Sequence, residues 1–200
     1  MKHLLYRGFA ATAALTLGLL MGCATPQGAD YQPQRGQSGK DVIWIPTSPE
    51  LVTRMLNMAK VTSQDIVYDL GAGDGIIAIT AAKHFGARAY GIEYNPQMAV
   101  HAQNNVRAAG VADKVSIRQG DIFVEKFDEA TVVTMYLLPH LNLKLRPTLL
   151  KMKPGTRIVS HAFDMNEWEA DEKVSHEYAH AFMWVVPSAV EGTWTLQEVD

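Results

Sequence analysis

The pattern of hydrophobic and polar positions changes near residues 22 and 41 of the chain. From residue 41 onwards, short apolar runs of strand length alternate with longer segments in which apolar residues recur at helical spacing. A chain that alternates in this way forms a mostly parallel sheet with helices packed on its faces. The pattern therefore predicts one α/β domain with a doubly wound sheet over residues 41–200.

Five strands and four helices can be placed before the C-terminal region. The predicted strands are DIVYDL from Asp65, ARAYGIE from Ala87, KVSIRQG from Lys114, ATVVTMYLL from Ala130 and TRIVSHAF from Thr156. The predicted helices begin near residues 49, 74, 96 and 139, and an interruption is expected near Pro147. VSHEYAHAFMWVV and VEGTWTLQEV, on either side of PSA, predict a terminal antiparallel hairpin.

The first 22 residues have the layout of a secretory signal peptide. Lys2 and Arg7 precede an apolar run that is too short for a comfortable membrane-spanning helix. The run ends in LLMGC, which resembles the lipobox of bacterial lipoproteins, and Cys23 is the only cysteine. The sequence predicts a signal peptide over residues 1–22 and lipidation of Cys23, with a plain signal peptide or an uncleaved anchor as the alternative.

Residues 23–40 are rich in Gly, Pro, Gln and Ser, which predicts a flexible tether between the lipid and the domain. Ala24, rather than an aspartate, follows Cys23, and this favours sorting to the outer membrane. We therefore expect an exported protein of the bacterial envelope that faces the periplasm and contacts the membrane only through its lipid anchor.

The charge of the chain disfavours a nucleic-acid partner. The formal net charge is −3, and it becomes −5 without residues 1–22, which contain two basic residues and no acidic one. Domains that bind nucleic acids are usually basic, because they neutralise phosphates. A protein or a small molecule is the expected partner.

The stretch VYDLGAGDGI contains a turn between a strand and a helix, with three alternate glycines: Gly71, Gly73 and Gly75. Glycines there permit positive φ angles and let a ligand approach the backbone. A dinucleotide-binding turn would place its third glycine at position 76, where this chain has Ile76. Asp69 ends an otherwise apolar strand, where a carboxylate needs hydrogen bonds or a cationic ligand.

Two further acids end the next two strands, Glu93 in GIEYNP and Asp121 in QGDIF. Ligands of open α/β sheets bind at the carboxyl ends of the strands, so the three acids converge on one crevice. A carboxylate at the position of Glu93 can accept hydrogen bonds from two neighbouring hydroxyls of a ligand.

The motif D-x-G-x-G-x-G after the first strand is typical of class I S-adenosylmethionine-dependent methyltransferases, and DLGAGDG resembles it at every defined position. The resemblance implies a Rossmann-like methyltransferase sheet and S-adenosylmethionine as the cofactor. It implies that Asp69 and the three glycines hold the methionine end of the cofactor and that Glu93 binds its ribose. The other implied cofactor-binding residues are Asp121 at the adenine amino group, Ile122 against the adenine ring, Thr47 and Asn95.

A narrower resemblance extends from about Val42 to Phe163. IWIPTSPELVTRML, GIEYNP and YLLP are similar to segments of the small protein-lysine methyltransferases typified by the ATP-synthase c-subunit lysine methyltransferase. The Asn/Asp-Pro-Pro-Tyr signature of many amino methyltransferases is absent, and YLLP from Tyr136 occupies that region. The methyl acceptor is therefore open, with a protein amino group as one candidate. Tyr136 is the predicted catalytic residue facing the methyl group.

Two other functions compete with methyl transfer. S-adenosylmethionine is made in the cytoplasm and is not expected to be abundant outside it. An exported protein could therefore keep the fold but lose methyl transfer, and act as a lipoprotein that only binds a small molecule or a partner. HEYAH, from His176 to His180, fits the H-E-x-x-H motif of zinc metallopeptidases. That motif requires a helix, however, whereas the surrounding residues favour strands. No metal site is predicted.

Overall fold

A seven-stranded sheet forms the centre of the computed structural model, which describes residues 31–176 and 179–188. Its strands are β1 (Ile66–Leu70), β2 (Arg88–Glu93), β3 (Val115–Gln119), β4 (Val132–Met135), β5 (Arg157–His161), β6 (Glu172–His176) and β7 (Ala179–Val185). The spatial order is β3-β2-β1-β4-β5-β7-β6; β7 pairs antiparallel with β5 and β6, and the other pairs of described strands are parallel. The predicted α/β class and mostly parallel sheet are confirmed.

Within the described ranges four helices cover the two faces of this sheet: α1 (Pro49–Met58), α2 (Ile76–Phe85), α3 (Pro96–Ala108) and α4 (Pro139–Leu149). Buried residues of α1, α2 and α3 share one hydrophobic cluster, and those of α4 belong to a second. The two clusters lie on opposite faces, because successive strand residues such as Val67 and Tyr68 contribute to different ones. The sheet is therefore doubly wound, as predicted.

Short polar and glycine signals set the helix ends. The Ser48 side chain accepts a hydrogen bond from the Leu51 N–H and caps α1, with Pro49 in the first turn. Gly86 has a left-handed conformation and ends α2. None of the helices within the described ranges is both long and apolar enough to cross a membrane.

Three of the differences from the sequence prediction concern β4, α4 and the C-terminal hairpin. β4 ends at Met135, before Tyr136. α4 continues through Pro147, which has no N–H to donate to the Leu143 carbonyl but does not end the helix. The antiparallel hairpin is present, but both of its strands lie before Pro187. The segment predicted as its second strand, VEGTWTLQEV, lies outside the described residues.

The amino ends of the central strands are fastened by a partly buried ion pair. The Arg157 guanidinium contacts the Asp65 carboxylate and also donates to the Ala59 carbonyl, while the Thr131 hydroxyl donates to Asp65. Burial opposes ionisation of Asp65, but these hydrogen bonds outweigh it and hold its pKa below the ordinary value. These contacts fix the amino ends of the strands. The carboxyl ends, where the ligand crevice was predicted, lie at the opposite end of the sheet.

Candidate active site

A pocket lies at the carboxyl ends of β1, β2 and β4, where the sequence predicted the ligand crevice. One wall is the N-terminal strap, residues 37–47, which runs across the edge of the sheet. The strap carries an isolated β-bridge between Ser38 and Ile43. Residues 37–40, which were assigned to the tether from their composition, also line this pocket.

The glycine turn follows β1 directly, and all three of its glycines have positive φ angles. Gly73 also meets the strap, because a Cβ atom at that position would lie 2.6 Å from the Trp44 Nε1 atom. A side chain at position 73 would therefore be strained by its backbone angle and would displace Trp44. The turn needs glycine at this point so that the strap can close over it.

Glu93 fastens this turn to the end of β2. One carboxylate oxygen accepts from the Gly73 N–H and the other from the Asn95 N–H, each at 2.9 Å. Burial raises the pKa of Glu93, and the backbone donors oppose that rise only in part. Each oxygen of a carboxylate has more than one acceptor direction, so the side chain can still receive ribose hydroxyls.

Asp69 is 2% exposed at the end of β1. The Thr134 hydroxyl donates to its Oδ1 atom at 2.8 Å, and no cationic side chain in the described part of the chain pairs with it. Burial raises the pKa of Asp69 to about 7, and the nearby Asp74 and Glu93 carboxylates add to the rise. A buried acid among other acids suits a ligand that brings a positive charge.

Asp121 is held by the strap. Its Oδ2 atom lies 2.8 Å from the Lys40 Nζ atom, and its Oδ1 atom accepts from the Phe123 N–H at 3.0 Å. The hydrogen bond from Lys40 is the main reason why the pKa of Asp121 is lowered. Solvent screens a pair as exposed as this one, so Lys40 can leave Asp121 at little cost. Ile122, the next residue, also lines the pocket.

Tyr136 follows β4 and faces the pocket next to a residue that sequence analysis did not include in the site. The Tyr136 ring lies on the His161 imidazole, with 3.7 Å between the ring centroids. The His161 Nδ1 atom is in turn 3.0 Å from the Thr47 hydroxyl oxygen. His161 ends β5 at the same edge of the sheet as the three acids, and that position was the signal that could have indicated it.

Asn95 has a second role besides its place in the pocket wall. Its side-chain oxygen accepts from the N–H groups of Gln97 and Met98, so it caps α3. Asn95 was predicted only to bind the cofactor, whereas its side-chain oxygen also caps the helix.

The HEYAH histidines are not arranged as in a zinc peptidase. His176 ends β6 and His180 lies in β7, so these two residues are on paired strands rather than on one helix. The His180 Nδ1 atom is 2.9 Å from the Ser175 hydroxyl oxygen. Across residues 31–176 and 179–188, no three His, Cys, Asp or Glu side chains are grouped to hold a metal. Glu177, the third member of the motif, lies outside the described residues.

Comparison with known proteins identifies the family. The ANTKMT methyltransferase domain matches residues 69–172. A protein-lysine N-methyltransferase from Saccharolobus islandicus is 47% identical over 138 residues, which cover 68% of this chain and 86% of that protein. The chain belongs to the ANTKMT methyltransferase family. It is an S-adenosylmethionine-dependent methyltransferase, and the comparisons do not support the binding-only and peptidase alternatives.

Two other relatives differ in their described substrates. An RNA methyltransferase from Salinibacter ruber, crystallised with S-adenosyl-L-homocysteine, is 48% identical with a TM-score of 0.71, and the match covers 77% of this chain and all of that one. The ATP-synthase c-subunit lysine N-methyltransferase of Mus musculus is 27% identical over 129 residues, 64% of this chain and 51% of that protein. The chain thus spans about half of the mouse methyltransferase.

The pocket fits S-adenosylmethionine as its cofactor. The glycine turn leaves room at the backbone, Glu93 offers acceptors for the ribose, and the buried Asp69 has no positive partner among the described residues. The cofactor carries both an ammonium and a sulfonium group. Its positive charge therefore matches the acids at the ends of β1 and β2.

We expect cofactor affinity to depend on pH through Asp69. With its pKa at about 7 the carboxyl is mostly neutral at pH 6 and mostly ionised at pH 8. Because a cation binds the ionised form, the affinity for S-adenosylmethionine should rise about tenfold between these values. Calorimetry at pH 6 in two buffers of different ionisation enthalpy should show the release of about one proton. Asp69→Asn should bind more weakly at pH 8 and lose this dependence; an unchanged slope in that variant would assign the titration to another group.

We expect Glu93→Ala to weaken S-adenosylmethionine binding by about 1 to 3 kcal/mol, because hydrogen bonds to a charged acceptor are lost. Calorimetry at one pH measures the change. Glu50→Ala, the same substitution on the exposed side of α1, is the matched control and should bind normally. Unchanged affinity of Glu93→Ala would contradict the assignment of the ribose to Glu93.

Proposed function

We propose that this enzyme transfers the methyl group of S-adenosylmethionine to lysine side chains of a protein acceptor. The observation that carries the proposal is the 47% identity to a protein-lysine N-methyltransferase over 86% of that protein's length. The net charge of −3 also favours a protein over RNA, although one relative at 48% identity is described as an RNA methyltransferase.

The walls of the pocket suit an amine acceptor. S-adenosylmethionine supplies an electrophilic methyl group, and its transfer is an in-line displacement that depends mainly on positioning and on the exclusion of water. Trp44, Leu137 and Phe163 line the pocket and present apolar surface. A lysine must lose its proton before it can attack, and desolvation among such side chains lowers the pKa of an ammonium group.

In this mechanism Tyr136 orients the acceptor. Burial raises the pKa of the Tyr136 phenol, so the hydroxyl remains protonated near neutral pH and is not a general base. The face of an aromatic ring attracts cationic groups. Tyr136 is therefore suited to hold the charged reaction centre between β4 and the strap, while the proton of the amine leaves to solvent.

The purified enzyme should transfer radiolabel from methyl-labelled S-adenosylmethionine to protein when it is given a protein extract and total RNA in parallel. Hydrolysis of the labelled protein should yield methylated lysine, identified by mass spectrometry. Glu93→Ala should give less label in the same product when the S-adenosylmethionine concentration is too low to saturate this variant. Label in RNA alone, or in a methylated residue other than lysine, would overturn the proposed acceptor.

We also propose that the enzyme is an exported lipoprotein anchored by Cys23 in the outer membrane and facing the periplasm. The support is the charge pattern of residues 1–22, the LLMGC motif and the presence of a single cysteine. These residues lie outside the described part of the structure. Radioactive palmitate should label the protein in bacterial cells and should not label Cys23→Ser; label that persists in Cys23→Ser would rule out the anchor.

A further inference from the structure

Three side chains pack together where the strap meets the carboxyl ends of β4 and β5. The Thr47 hydroxyl oxygen is 3.0 Å from the His161 Nδ1 atom. The Tyr136 ring packs against the same imidazole. The planes of these two rings differ by 32°. Thr47 and His161 are only 7% and 6% exposed, so both contacts are shielded from water.

The backbone beyond His161 is strained. Ala162 has a φ angle of +69°, and the Phe163 N–H donates to the His161 carbonyl at 2.9 Å, which closes a three-residue turn. The Ala162 N–H is held by the His180 carbonyl of β7 at 2.7 Å. A side chain in this region costs about 1 to 3 kcal/mol, and such strain is concentrated at functional sites. The turn keeps His161 under Tyr136 while Phe163 lines the pocket.

The imidazole is uncharged in this environment. Burial lowers the pKa of His161 to about 4, and no acid among the described residues forms an ion pair with it. A group that is neutral throughout the range from pH 6 to 8 does not retain a proton taken from an ammonium group. His161 therefore contributes through its shape and its hydrogen bond rather than as a base.

We propose that His161 is a positioning residue for methyl transfer, with two separable roles. Its ring face fixes the Tyr136 ring against the reacting methyl group, and its Nδ1 atom holds the strap closed over the cofactor through Thr47. The proposal depends on Tyr136 facing the transferred methyl group, and it does not depend on the acceptor being a lysine.

Two substitutions of His161 separate these roles. Asn has a polar atom in the position of Nδ1 and no ring, whereas Phe retains a ring and has no polar atom. His161→Asn should lower kcat about tenfold or more, because a misplaced group is costly in an in-line reaction, and it should leave the KM for S-adenosylmethionine within about twofold. His161→Phe should raise that KM about fivefold, the loss of one hydrogen bond, and keep kcat within about threefold.

The controls test whether His161 acts through its two neighbours. Thr47→Val removes the same hydrogen bond as His161→Phe with little change of volume, and it should raise the KM to the same extent; it also serves if a His161 variant does not fold. The effect of His161→Asn on kcat should largely disappear in a Tyr136→Ala background, since coupled residues are not additive. His84→Phe, in the last turn of α2, should behave as the unmodified enzyme.

The rate is measured as the formation of S-adenosylhomocysteine. The acceptor in this assay is the fraction, protein or RNA, that accepts radiolabel. A wrong lysine assignment would change which fraction is labelled, but it would not change the comparison between variants. Three results would each overturn the positioning role. The first is an unaltered kcat in His161→Asn, and the second is a loss of kcat together with a rise of KM in both folded His161 variants. The third is an undiminished effect of His161→Asn on kcat in the Tyr136→Ala background.

Discussion

The crevice depends on the two hydrogen bonds that the Glu93 carboxylate accepts from backbone N–H groups. One donor, Gly73, belongs to the turn between β1 and α2, and the other, Asn95, caps α3. A single side chain at the end of β2 thus sets the positions of the glycine turn and of the next helix. The Glu93 carboxylate and the backbone of the glycine turn are consequently fixed relative to each other.

The acidic side chains of the same region are in surroundings that disfavour their ionisation. Asp69, Asp74 and Glu93 are all buried to a large extent, and the pKa of each is raised above its ordinary value, mainly by burial. The corresponding cation is not supplied by the ion pairs of the described residues, which involve other acids. The apo site is therefore less stable than a neutral one would be, and a positively charged cofactor relieves that cost.

Features with a local chemical cause were predictable from the sequence. The glycine turn, the acids at strand ends and the proline-led helices each need a particular residue within a few positions. Contacts between distant residues were not predictable: Thr47 and His161 are 114 positions apart, and Lys40 and Asp121 are 81 apart. The apolar run after Met135 suggested a longer β4, but its residues Tyr136 and Leu137 line the pocket instead.

The strap is fastened differently at its two ends. Near residue 47 its bond to His161 is shielded from water, whereas near residue 40 it is held by a salt bridge with side chains 40% and 25% exposed. Screening by solvent makes the second fastening the weaker one. Displacement of the strap therefore costs less beside Asp121 than beside His161. The two ends of one short segment thus differ in how firmly they hold the pocket wall, and the difference follows from their exposure to water.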